Sequence, residues 1–130
     1  MSSIFTKIIT GEIPCYKIAE TDQFLAFLDV FPLVHGHVLV VPKKEIDYIF
    51  DIEDAELSAM MLFAKKIAKA QKAAIICKRI GLAVIGLEVP HAHIHLVPMN
   101  TANDVNFTQP KIKPSPEELS AVAEKIKAKL

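Results

Sequence analysis

At 130 residues, 52% of them hydrophobic, the chain is long enough for one domain with a core that needs no staples. Fifteen Lys and Arg balance fifteen Asp and Glu, so no basic field exists to hold a nucleic-acid polymer or an anionic membrane. Two cysteines, Cys15 and Cys77, make neither a disulfide framework nor a C-x-x-C zinc knuckle; residues 1–7 lack a signal-peptide core and no apolar run reaches membrane-spanning length, so a cytoplasmic domain is expected.

In chain order, Ser2 or Ser3 caps a predicted short helix over residues 4–10, stopped by Gly11, with Ile4, Phe5, Ile8 and Ile9 on one face. Residues 16–20 and 24–29 read as two strands around the turn Thr21-Asp22-Gln23. After a loop, residues 36–41 form a third strand ended by Pro42. A long helix follows, its stripe Leu57, Met60, Met61, Ala64, Ile67 and Ala68 facing the core and Glu53, Asp54 and Glu56 complementing its dipole. Residues 81–85 and 91–98 are strands four and five, and 99–114 a polar loop. Ser115-Pro116-Glu117-Glu118 opens a last helix that buries Leu119, Val122, Ile126 and Leu130. Neighbouring strands around one long helix predict an α+β fold with an antiparallel five-stranded sheet, a short N-terminal helix and a C-terminal helix.

All five histidines lie in two apolar stretches, Val34-His35-Gly36-His37-Val38 and Pro90-His91-Ala92-His93-Ile94-His95-Leu96. A strand over the second would align three imidazoles roughly 6.6–6.8 Å apart on one face and turn Ala92, Ile94 and Leu96 to the core. Three readings compete. Strict alternation argues against chance exposure of histidines on a half-solvated face. A metal site has donors, but same-face strand histidines would fan over roughly 13 Å, wide for one tetrahedral ion. Covalent catalysis at phosphorus uses every imidazole: one as nucleophile, its neighbours as tautomer-fixing partners and phosphate donors.

His91-Ala92-His93-Ile94-His95-Leu96-Val97 resembles the signature of the histidine-triad (HIT) superfamily, with histidines alternating with apolar residues. Ser3-Ile4-Phe5-Thr6-Lys7-Ile8-Ile9-Thr10-Gly11-Glu12-Ile13-Pro14 is similar to that family's opening segment. Phe27-Leu28-Asp29-Val30 through His37-Val38-Leu39-Val40-Val41-Pro42-Lys43-Lys44 is similar to its strand–loop–strand centre. The resemblance implies a HIT-like fold across residues 1–130, with a core over 3–98 and a C-terminal loop and helix over 99–130. It implies a nucleotide hydrolase or transferase of the Hint type, acting at the α-phosphate of a nucleoside phosphoramidate or dinucleoside polyphosphate through a nucleotidyl-histidine.

By the same resemblance, His93 attacks, His95 and His37 contact phosphate oxygens, and His91 orients its neighbours. Asp29 would accept from the ribose hydroxyls, and Ile4, Phe5, Ile8, Ile13, Phe27, Leu28 and Val30 would enclose a purine base. A carboxylate ending an apolar strand and walls with few polar groups suit such a ligand, although Asp29 could instead cap its own loop. A homodimer through the long helix and a sheet edge is implied, and no cofactor or metal.

Some relatives bind structural zinc where this chain has Ser3, Thr6 and Glu45, so zinc is not expected. Leu87 and Glu88 stand where relatives carry a glutamine with a hydroxyl residue or glutamate, and the preceding segment is shortened. Glu88 is a candidate general acid for the leaving group or a solvated loop charge. His35, outside the family's pattern, is expected to face solvent. A binding or scaffolding protein with slow incidental hydrolysis, or a histidine metal binder, remains the alternative.

Overall fold

The structure, a computed structural model, describes residues 2–130. The expected α+β architecture is observed, in the order α1 (Ile4–Ile9), β1 (Lys17–Glu20), β2 (Phe24–Leu28), β3 (Val38–Pro42), α2 (Asp54–Ala74), β4 (Arg79–Ala83), β5 (Ile94–Met99) and α3 (Pro116–Lys127). The sheet runs β1-β2-β3-β5-β4 with every pair antiparallel. Single 3-10 turns at Ile49–Asp51 and Ala102–Val105 punctuate the connections.

Local chemistry sets the helix starts. Ser3 caps α1 by accepting from the Thr6 N–H. Ser115 and Glu118 form a reciprocal capping box at α3 with Pro116 in the first turn, as the sequence predicts. α2 begins one residue after Glu53, without a side-chain cap, and places Asp54 and Glu56 in its first turn.

Strand alternation then divides the apolar residues between two faces. Phe24, Ala26 and Leu28 of β2, Val38 and Val40 of β3, and Ile94 and Leu96 of β5 meet Met60, Phe63, Ala64 and Ile67 of α2 and Leu119, Ala123 and Ile126 of α3. On the opposite face, Leu25, Phe27, Leu39 and Val41 pack with Phe5 of α1 in a smaller cluster.

Three expectations need correction. The triad is not a continuous strand: β5 begins at Ile94, and the chain turns at 89–91 through His91 N–H to the Val89 carbonyl. His91, His93 and His95 are all buried there. The α2 stripe is rotated, with Phe63 buried and Met61 exposed, since a second apolar strip on α2 faces away from the sheet. Leu130 is exposed beyond the end of α3, where Ala123 fills the core instead.

Gly36 is the position where glycine is required. Its φ of +90° is open to glycine, and a Cβ there would run into the Ile75 side chain and stand 3.3 Å from Pro98 Cγ. Gly36→Ala is therefore expected to destabilise the fold by about 1–3 kcal/mol, seen as a lower denaturant midpoint. An unchanged midpoint would show that the loop before β3 relaxes freely.

Candidate active site

Four imidazoles converge on the face that carries Phe5 and Phe27. His95 lies on β5 opposite Leu39, so the pleat points it to that face. His37 stands just before β3, where the Asp29 N–H bonds its carbonyl and extends the β2–β3 ladder by one pair. The rings of His93 and His95 are 4.8 Å apart and those of His37 and His95 5.2 Å.

Hydrogen bonds to the backbone decide which nitrogen of each ring carries its proton. A carbonyl can only accept, so His93 Nδ1–H donates to the His91 carbonyl at 2.8 Å and its Nε2 keeps a free lone pair. His91 Nε2–H donates to the Pro42 carbonyl at 2.8 Å, leaving Nδ1 to accept from the Ser3 hydroxyl at 2.8 Å. The Leu33 N–H donates to His37 Nδ1 at 3.1 Å. His37 Nε2–H therefore donates to His95 Nδ1 at 2.9 Å, and His95 presents Nε2–H as a donor. One ring offers a lone pair and its neighbour a proton.

The His37 proton goes to His95 Nδ1, so His37 is placed to orient that ring.

Burial keeps the rings neutral. It pushes His37 down to about 4, with Lys111 and His93 adding to the effect. It pushes His95 to about 3, reinforced by His37, His93 and Lys111. His93 is also lowered by burial, against the opposing pull of the His91 carbonyl and the Glu88 charge. Asp29 is raised by burial, opposed by the Phe31 N–H it accepts at 2.9 Å and by Lys111.

The Asp29 carboxylate comes within 3.9 Å of His37 Nε2, which with His37 neutral is not an ion pair. Asp29, His37 and His95 each offer one possible ligand atom within 4.8 Å of the others. The two histidine nitrogens there are already donor and acceptor to one another, and the Leu33 N–H obliges His37 Nε2 to keep its proton. A metal would have to break that chain, so the donor set fits one poorly.

The other expected residues fall into distinct places. Phe5 meets Phe27, His91 and His93 edge-to-face at 5.7, 5.8 and 4.9 Å, and Ile8 packs beside it. Ile13 is half-buried, whereas Ile4 and Val30 are exposed. The Leu28 side chain lies on the opposite face, under α2, because the pleat alternates it with Phe27; as a side-chain wall of this site it is a wrong assignment. Glu88 is exposed in the turn before the triad, and His35 is exposed as expected.

Three contributors were hidden in the sequence. Phe107, in the supposedly polar loop, sets its ring 4.6 Å from His95 and 6.2 Å from His37. Lys111 donates to the Phe107 carbonyl at 2.8 Å, and the loop is tied down by Ile112 N–H to the Pro32 carbonyl at 3.0 Å. Gln71, fully buried on α2, donates from Nε2 to the Gly36 carbonyl at 2.9 Å and the Leu96 carbonyl at 3.0 Å, bracing the neighbours of His37 and His95. A lone aromatic in a polar loop and a polar residue on a buried helix face were the available signals.

Comparison with known proteins fits this geometry. The HIT domain family model matches residues 10–102. The adenosine 5'-monophosphoramidase of Schizosaccharomyces pombe is 35% identical over 100% of this chain and 99% of its own length. That of Saccharomyces cerevisiae is 41% identical over 73% of this chain and 61% of its own. A crystal structure of a Hit-like protein from Bartonella henselae superposes with a TM-score of 0.85 at 33% identity, covering 99% of this chain and 97% of that one. The chain belongs to the HIT family.

The neutral histidines make stability depend on pH. A ring whose folded-state pKa lies below the ordinary 6.5 binds fewer protons folded than unfolded, so its contribution is complete above 6.5. That contribution is lost as pH falls from there toward about 4 for His37 and about 3 for His95. The denaturant midpoint is expected to drop between about pH 7 and about pH 4.5. A flat midpoint across that window would contradict the buried neutral rings.

Proposed function

We propose that this protein hydrolyses nucleotide conjugates at the α-phosphate, taking a purine nucleoside phosphoramidate or dinucleoside polyphosphate and forming a nucleotidyl-histidine on His93. The observation that carries this reading is the His93 Nδ1–H bond to the His91 carbonyl, which leaves Nε2 unprotonated at the pH where nucleotides are polyanions. The Nε2 lone pair forms a bond to the α-phosphorus while the bond to the leaving amine or phosphate oxygen breaks. Water then displaces the histidine and releases the nucleoside monophosphate. His95 Nε2–H donates to a phosphate oxygen as charge builds. Asp29 receives the ribose hydroxyls, with Phe5, Phe27, Ile8 and Ile13 beside the base and Ile4 and Val30 at its rim. Relatives named as adenosine 5'-monophosphoramidases at 35% and 41% identity support the phosphoramidate arm.

His93→Ala is expected to lower turnover of adenosine phosphoramidate by at least about a thousandfold while the protein still folds and binds AMP. Wild-type turnover in that variant, or a trapped nucleotidyl adduct on another residue, would remove the covalent reading.

The functional unit in this proposal is a homodimer. Leu57, Met61 and Leu62 of α2 and Ile80 and Leu82 of β4 line one apolar groove, and β4 is an edge strand, so a second copy could cover both. No described helix is long and apolar enough to cross a membrane. Cys15 and Cys77 are unpaired, which suits the reducing cytoplasm assigned to it. Light scattering at micromolar concentration should give twice the chain mass, and Leu62→Glu should give the monomer. A wild-type monomer mass would refute the pairing.

A further inference from the structure

The peptide that carries the nucleophile's hydrogen-bond acceptor is not held by the sheet. His91 and His93 lie before β5, so the position of the His91 carbonyl rests on what grips residues 91–92. The Ala92 N–H donates to the Ile46 carbonyl at 2.7 Å, fastening this peptide to the turn that contains Glu45. The His91 ring is gripped at both nitrogens, by the Pro42 carbonyl and the Ser3 hydroxyl.

Ser3 is in turn held by Glu45. One carboxylate oxygen, Oε1, accepts from the Ser3 N–H at 2.7 Å and from the Thr6 hydroxyl at 2.6 Å. Because the Thr6 proton is committed to Glu45, Thr6 Oγ1, 3.3 Å from Ser3 Oγ and 3.4 Å from His91 Nδ1, has no proton left for either. The Ser3 oxygen also accepts the Thr6 N–H at 3.1 Å, and its own proton goes to the nearer acceptor, His91 Nδ1 at 2.8 Å, rather than to Thr6 Oγ1 at 3.3 Å. Both bonds to Glu45 are short and charge-assisted, and they hold its carboxyl down to about 2, the Ser3 N–H being the larger cause and the Thr6 hydroxyl the next.

We propose that Glu45 is a positioning residue for the nucleophile: through Ser3 and Thr6 it docks the start of α1 onto His91 and so fixes the carbonyl that sets the His93 tautomer. Three segments distant in sequence meet in this cluster, and Phe5, between Ser3 and Thr6, packs on both His91 and His93. Glu45 lies outside the nucleotide's reach in this scheme and acts only through its partners. The inference rests on His93 being the nucleophile, so its test includes a readout that does not depend on turnover.

The variants are Glu45→Ala, Glu45→Gln and Thr6→Val, each assayed with adenosine phosphoramidate and by nitrogen NMR of the histidine rings. Glu45→Ala is expected to lower kcat by about tenfold and to turn the single Nδ1–H form of His93 into a tautomer mixture. Glu45→Gln keeps an oxygen acceptor at Oε1 and should stay within about twofold of wild type on both readouts. Thr6→Val, which leaves Glu45 on the Ser3 N–H, should fall between them and serves if Glu45→Ala does not fold. An unchanged His93 spectrum and kcat in Glu45→Ala would overturn the proposal, as would equal losses in the Ala and Gln variants. A tautomer mixture with wild-type turnover would uphold the role of Glu45 and refute His93 as nucleophile.

Discussion

Four imidazoles share this site, and backbone groups decide which ring nitrogen of each donates and which accepts. The Leu33 N–H at one end and the Pro42 and His91 carbonyls at the other are groups that cannot reverse their roles. Every ring nitrogen between them is thereby fixed as donor or acceptor. The result is a lone pair on His93 Nε2 beside a proton on His95 Nε2, the pairing that attack on a phosphate ester or amide requires. Charging His37 or His95 would set two donors against each other, at the Leu33 N–H or at the bond between the two rings. Burial and hydrogen bonding therefore enforce the same protonation state.

The sheet supplies this geometry by being two-sided. The face under α2 and α3 holds most of the apolar core, so the opposite face is free to carry polar groups. Its own smaller cluster, built from Phe5, Leu25, Phe27, Leu39 and Val41, walls the histidines and keeps water from their rings. Gln71 connects the two layers, because a core helix bonds the carbonyls of Gly36 and Leu96 beside His37 and His95. A shift in α2 would be felt at His37 and His95 through that one side chain.

Charge at the site is equally sparse. With the imidazoles neutral, the full charges that act on them are Lys111, felt at His37 and His95, and Glu88, felt at His93. Lys111 also acts on Asp29, where it favours the ionised carboxylate against burial. Both are exposed and belong to the loop after β5 and the turn before the triad. Phe107 reaches His95 from that same C-terminal loop.

Much of this was written in local sequence. Apolar stretches bounded by turns marked the strands and the β1–β2 hairpin, the Ser115-Pro116-Glu117-Glu118 box marked where α3 starts, and the alternating histidines marked the chemistry. Those signals are legible because they concern residues a few positions apart, where backbone geometry alone relates them. Alternation could not show that β5 starts only at Ile94, nor that Leu28 faces α2 while Phe27 faces the histidines; the first depends on the turn at 89–91 and the second on register across three strands. Nor could any window of sequence bring Ser3, Glu45 and His91 together across four strands, or show that the loop after β5 folds back to lay Phe107 on His95. The sequence by itself determined the elements and the kind of chemistry. Tertiary structure decided which nitrogen holds each proton, because that depends on backbone groups delivered from elsewhere in the chain.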